Sequence, residues 1–365
     1  KSNYYTVSYY LGNGSTNAAY QKLTQTVEEG TVVTFAKVPA RTGYVNQGWS
    51  SKKNSEKATA KAKCTVNKNI TLYAVQKKAV QLTFHRCDGS TWQKTTLAKG
   101  SSYFLPGVRD AEGYTFMGWS TKPMQSVSPQ YEAEEKITVN GNVDLYAVVF
   151  NRTTETDLTE DQLPQVDIYK YKQVIFVGDS RTEFMENVLT GMGESATKNV
   201  KFVCSAGKGL DWFTTTGWAQ LYSIVQHDSN SILSKKTAVI FNFGVNDLSK
   251  SADYAEYYNW IAPQLKSKGC ELYFMSVNPV NRLMLPNAGR ADRSEAAVRS
   301  FNQYMKANLS SAYTYIDMYS YLKSTGYSFA SDHYGTGTVD DGLHYTTRTY
   351  KRIFAKCMDS LRVPA

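Results

Sequence analysis

At 365 residues the chain exceeds one typical domain and is long enough for two or three, at least one with a substantial core. Its 42% hydrophobic and 20% charged residues describe a soluble globular protein, and no stretch approaches the ~18 unbroken apolar residues of a membrane span. A formal charge of +9 would suit a nucleic acid, an anionic cell wall or solubility alone. The lysines are scattered, however, and their densest cluster, SKKNSEKATAKAKC at 51–64, lacks interleaved aromatics, so no nucleic-acid partner is expected.

Five cysteines without a CxxC pair indicate neither a disulfide framework nor a zinc site, and neither a metal nor another cofactor is expected. The N-terminus lacks the basic, apolar and small-residue pattern of an export leader. The sequence is therefore expected either to be cytosolic or to stand without its export and anchoring segments.

The first 150 residues contain a tandem repeat. RTGYVNQGWS (41–50) returns as AEGYTFMGWS (111–120), TVNKNITLYAV (65–75) as TVNGNVDLYAV (138–148), and YTVSYYLGNGS (5–15) as VQLTFHRCDGS (80–90). Two copies, 1–78 and 79–150, stand in series, and their short alternating runs between Gly and Asn predict small antiparallel sheets. Trp49 and Trp119, each beside a turn glycine, are read as core plugs rather than as sugar-binding platforms.

The GY…GWS…ITLYA signature resembles the Listeria-Bacteroides-type repeat, the B-repeat of internalin-like surface proteins. The resemblance implies small β-rich, β-grasp-like modules of a Gram-positive-type extracellular or cell-wall-associated protein, serving as spacers or wall contacts. No acid, base or metal constellation stands in this region, and no catalysis is assigned to it.

Residues 151–166, NRTTETDLTEDQLPQV, are polar and read as a linker or an outer wrap. From 167 to 365 the pattern changes. Apolar runs recur at VIFVG (174–178), KFVCSA (201–206), AVIFNFG (238–244), ELYFMSV (271–277) and YTYIDM (313–318). Helical patterns fill the intervals. Tyr254, Tyr257, Tyr258, Ile261 and Leu265 share one face, with Pro263 a candidate kink; Ala297, Phe301, Tyr304, Met305 and Leu309 share another. A last helix is capped by Thr346 or Thr347. Strands alternating with helices predict a three-layer α/β domain on a parallel sheet.

The first run ends on Gly178-Asp179-Ser180, at the strand end where open α/β sheets place their ligand crevice. A serine there is a candidate nucleophile, and it needs a base. Of four histidines, His85 lies in the repeats, His227 is read as a solvated helix end, and His333 and His344 fall in a late loop. Asp341 stands three residues before His344, a spacing that can bring a carboxylate onto Nδ1, or can be a turn before the last helix. FNFGVNDL (241–248) places Asn246 after the third run, where its amide can donate to an oxyanion. Gly207 or Gly209 of CSAGKG can supply a backbone N–H, with that of Ser180 as a further donor.

These blocks, in this order, resemble the SGNH hydrolases, also called GDSL-type esterases, over about residues 167–362. The resemblance implies a flavodoxin-like αβα fold and metal-free ester hydrolysis. It carries over Ser180 as nucleophile, His344 as base, Asp341 as its orienting acid, and Gly207 and Asn246 as oxyanion donors, Gly207 being preferred to Gly209. Arg181 departs from the family, standing where a leucine is usual. Asp179 is expected to shape the turn. Asp179, Arg181, Gly209, Asn278 and Tyr345 are candidate pocket residues, as are Asn281, Arg282 and Trp212. Together with the repeats, the expected activity is removal of small acyl groups, acetyl foremost, from a carbohydrate at or outside the cell surface. A wall-sugar acetyltransferase and an adhesin with an idle hydrolase-like domain are the alternatives.

Overall fold

The computed structural model describes residues 2–168, 170–226, 236–334 and 337–361, with the backbone alone at 332–334 and 337–339. His227 lies outside the described residues. The chain forms two compact units, one of Lys1–Arg86, Ser90–Tyr103 and Lys136–Leu145, the other of Cys87–Gly89, Phe104–Glu135 and Tyr146–Ala365. No helix among the described residues is long and apolar enough to cross a membrane.

The first unit is built on one long strand, Ile70–His85. Tyr44–Ser50 and Thr91–Ala98 pair with it antiparallel, but Tyr4–Tyr10 pairs with it in parallel, Val7 opposite Ile70. The sheet is thus mixed rather than antiparallel, because period-two alternation fixes which face is buried and says nothing of strand direction. A short helix, Ala18–Gln21, is capped by Asn17. Trp49 is buried beneath it, its ring 4.8 Å from Tyr9 and 6.0 Å from Tyr20, and its indole N–H donates to the Ala36 carbonyl at 2.6 Å. The core reading of this tryptophan therefore holds.

In the second unit five strands lie in parallel: β1 (Tyr171–Gly178), β2 (Val200–Cys204), β3 (Lys236–Asn242), β4 (Cys270–Met275) and β5 (Tyr313–Ile316). Their order is β2-β1-β3-β4-β5, the flavodoxin-like arrangement, whose switch point falls between β1 and β3. Alternate residues of β1 serve two cores. Ile175 and Val177 pack with helices α2 (Ser251–Ser267) and α3 (Glu295–Asn308). Val174 and Phe176 pack with α1 (Ser180–Met192) and α4 (Thr347–Ser360). This double burial explains why the strand sequences run apolar without alternation.

Pro263 sits inside α2 without ending it. On α3 the buried face is Val298, Phe301, Asn302 and Met305, and Tyr304 is 38% exposed, so the apolar stripe is turned from the expected one. Thr346 is the cap of α4. Residues 151–166 include Leu163 and Val166, both buried in the α1–α4 core. Glu155, also buried, receives Arg352 at 2.8 Å and the hydroxyls of Ser328 and Thr349 at 2.5 Å.

Candidate active site

Gly178 closes β1 with no room for a side chain: a Cβ there would lie 2.0 Å from Thr182 Oγ1 and 2.8 Å from the Asn242 carbonyl. The chain then turns into α1, capped by Asp179, whose carboxylate accepts the Arg181 N–H at 3.0 Å. Burial pushes the Asp179 carboxyl up to about 6, against the pull of that N–H and of the Arg181 charge. Ser180 is the first residue of α1, and its N–H has no acceptor among the described residues, as expected of a helix N-terminus.

Two strands stand here rather than a loop, Phe329–Tyr334 pairing antiparallel with Gly337–Tyr345. The polar run DDGLH hides the strand, since its ladder breaks there: Ser331 faces Asp340 and Phe329 faces Tyr345, leaving residues 341–344 bulged from the pairing. Gly342, at φ +72°, makes the bulge possible. The Asp341 carboxylate folds back onto it, one oxygen accepting the Leu343 and His344 N–H groups at 2.7 Å each. The other oxygen meets His344 Nδ1 at 2.7 Å, and His344 Nε2 lies 2.9 Å from Ser180 Oγ. Ser180, His344 and Asp341 are 6%, 4% and 2% exposed, so the chain of bonds is shielded from water.

Arg290 adds a partner that the sequence did not suggest, its Nη2 3.0 Å and Nε 3.2 Å from the Asp341 oxygen that holds His344. Burial would raise the Asp341 carboxyl, but the bonds and charge of His344, helped by Arg290, outweigh it and hold the group at about 2. It is thus a carboxylate throughout the ordinary pH range. With Nδ1–H donating to that carboxylate, Nε2 is free to take a proton from the serine.

Two further donors lie beyond neighbouring strand ends. Gly207, past β2 at φ +70°, has an N–H without an acceptor among the described residues. Asn246, past β3, donates one Nδ2 hydrogen to the Lys208 carbonyl at 2.8 Å, leaving the second. Its amide oxygen is fixed by Arg293 Nη2 at 2.7 Å, while the same guanidinium binds the Val245 and Ala291 carbonyls at 2.8 Å. Gly209 serves packing: a Cβ would strike the Asp247 carboxylate, which receives Leu210 N–H at 2.9 Å and Tyr254 hydroxyl at 2.7 Å.

Several candidate pocket residues are structural. Arg181 is buried and its guanidinium binds the carbonyls of Leu343 (3.0 Å), Asn278 (2.9 Å) and Pro279 (2.9 Å), tying the β4 exit to the His344 bulge. Tyr345 donates to the Pro279 carbonyl and lies under that guanidinium. Asn278 is buried, and its side-chain oxygen has no partner among the described residues. Asn281 reaches the Val108 carbonyl and Asp110, Arg282 pairs with Asp292 and Glu134, and Trp212 packs on Phe243. A wall that the sequence did not reveal is Phe184 on α1, 42% exposed, with its ring 4.5 Å from the His344 ring.

Sheet order and site together define a class, an acylhydrolase on a flavodoxin-like sheet. Residues 174–357 match the GDSL-like lipase/acylhydrolase family, about half of the chain, and the protein belongs to that family. Residues 5–75 and 81–148 match the Listeria-Bacteroides repeat domain. No curated protein matches the chain. Similar solved structures include a Bacteroides fragilis protein described as a candidate acylhydrolase, at 16% identity over 55% of this chain and 93% of that one, with a TM-score of 0.34. Others are a Slackia heliotrinireducens protein described as a candidate SGNH hydrolase (13%, 53% and 100%, 0.36) and an acetyl xylan esterase, AlAXEase (13%, 52% and 100%, 0.32).

Proposed function

We propose that the protein is a serine esterase that removes small acyl groups, acetyl foremost, from a carbohydrate at or outside the cell surface. The observation that carries this reading is the unbroken relay from Ser180 Oγ through His344 to Asp341, with bonds of 2.9 and 2.7 Å.

Ser180 attacks the ester carbonyl while its proton passes to His344 Nε2, and the resulting imidazolium is stabilised by the Asp341 carboxylate. The oxyanion is received by the N–H groups of Ser180 and Gly207 and the spare Nδ2 hydrogen of Asn246. The imidazolium then protonates the departing alkoxide, and water, deprotonated by the same nitrogen, releases the carboxylic acid and regenerates the serine. A serine only 6% exposed favours a short acyl group, and the open face of Phe184 beside His344 suits the apolar face of a sugar ring. The surface location is supported by the repeats, a module typical of surface proteins.

Acetate release from acetylated polysaccharides, compared with hydrolysis of butyryl and longer p-nitrophenyl esters, tests the reading. Selectivity for acetate with release from a glycan is expected. Preference for long acyl chains would overturn it.

A further inference from the structure

The charge of the chain is concentrated in one module. Residues 1–78 hold twelve of the 41 Lys and Arg residues and three of the 32 Asp and Glu residues, a net +9 equal to that of the whole chain, whereas residues 79–150 hold six against seven. The two repeats nonetheless share a local framework. The Trp49 indole donates to the Ala36 carbonyl at 2.6 Å and the Trp119 indole to that of Pro106 at 2.8 Å. The carbonyl of each tryptophan then receives two N–H groups of the following loop, from Thr59 and Ala60 or from Gln130 and Tyr131. The loop after each GWS is therefore equivalent in the two modules.

In the second repeat this loop docks. Glu134 accepts from Ser294 Oγ at 2.6 Å and the Ala296 N–H at 2.9 Å, and binds Arg282 at 3.0 Å, while Glu132 pairs with Lys323 at 2.9 Å. The loop is acidic and its partners are cations and N–H or O–H donors. In the first repeat the equivalent loop carries Lys52, Lys53, Lys57 and Lys61 against Glu56, and Lys63 opens the strand Lys63–Thr65 that follows it. All five lysines are exposed, and no basic residue of the first repeat forms an ion pair among the described residues. The backbone that presents them is fastened, Asn54 N–H to the Gly12 carbonyl at 2.7 Å and Thr59 and Ala60 to Trp49.

We infer that the 51–64 loop of the first repeat is a binding surface for an anionic surface polymer built of sugar or polyol units. Five lysines without an arginine are hydrated point charges, suited to charge repeated along a flexible hydrophilic chain rather than to bidentate contacts. The loop has no aromatic, leucine or methionine, so it offers neither the anchor of a protein interface nor a platform on which bases stack.

Binding of the full chain to polygalacturonate and to poly(glycerol phosphate) tests this, with single-stranded DNA of equal charge as competitor. Binding to at least one polymer is expected, and which one binds distinguishes a sugar carboxylate from a phosphodiester. Raising salt from about 50 to 200 mM should weaken binding roughly a hundredfold if all five charges are neutralised. The variant with all five lysines replaced by glutamine should bind at least about tenfold more weakly, with an unchanged melting temperature and unchanged p-nitrophenyl acetate turnover. Wild-type affinity in that variant, salt-insensitive binding, tighter binding to the DNA, or binding to neither polymer would each overturn the inference. Because binding is read without hydrolysis, the outcome does not depend on Ser180 being a nucleophile.

Discussion

Replacing Asn246 by alanine removes one of three proposed oxyanion donors. A lost donor of this kind costs about 2.7–4 kcal/mol of transition-state stabilisation, so kcat for p-nitrophenyl acetate should fall about 10²–10³-fold with KM nearly unchanged, since the bond strengthens only as the oxyanion forms. Arg293 permits a finer test. Its Nη2 fixes the Asn246 amide oxygen at 2.7 Å, and without it the amide is held by the Lys208 carbonyl at 2.8 Å. One remaining bond, worth a net ~1 kcal/mol, orients the amide poorly, and Arg293→Met should slow kcat about tenfold. If Arg293 acts through Asn246, the double variant should be no slower than Asn246→Ala alone. Steady-state kinetics on the three variants, with melting curves to verify folding, decide the matter. Multiplied single effects would show that Arg293 does not act through Asn246, and an Asn246→Ala variant altered in KM alone would show that Asn246 is no oxyanion donor.

Asp341, held at about 2 against an unfolded value of about 3.9, contributes stability that is complete above about pH 5 and lost as the pH falls towards 2. Asp341→Asn should flatten that limb in acid-unfolding curves and lower kcat roughly 10³–10⁴-fold, through loss of the tautomer that faces Ser180. Asp179 has the opposite sign: with its carboxyl raised to about 6, stability falls as pH rises from about 4 to 6. Asp179→Asn, which still caps α1, should abolish this slope in pH-dependent melting. Gly178→Ala sets a methyl 2.0 Å from Thr182 Oγ1 and 2.8 Å from the Asn242 carbonyl, and should lower unfolding free energy in urea by about 1–3 kcal/mol or more.

The five strands are legible because burial on both faces writes an uninterrupted apolar run, and the candidate sites after β1 and β3 follow from the rule that ligands gather at strand ends. The His344 strand is hidden because its bulge is built from Asp, Gly and His, residues that read as loop. Arg181 reads as a pocket residue in the sequence because its acceptors are carbonyls about 100 or more residues away, which leave no trace in composition. Arg290 and Arg293 leave no signal for a similar reason, as they reach Asp341 and Asn246 from a segment without periodicity. Phe184 stands one turn beyond Ser180, and an i, i+4 reading of α1 from that residue could have found it. The parallel pairing in the repeats was beyond reach because alternation reports burial and not strand direction.

Acylation of Ser180 during turnover is what the proposed reaction requires. Rapid quenching of the protein with p-nitrophenyl acetate, followed by mass analysis of the peptide bearing Ser180, tests it most directly beside the Ser180→Ala variant. An acetyl group on Ser180 that decays at the rate of turnover is expected, with loss of both adduct and hydrolysis in the variant. Undiminished hydrolysis by Ser180→Ala, or an acetyl group carried through turnover by another residue, would contradict it.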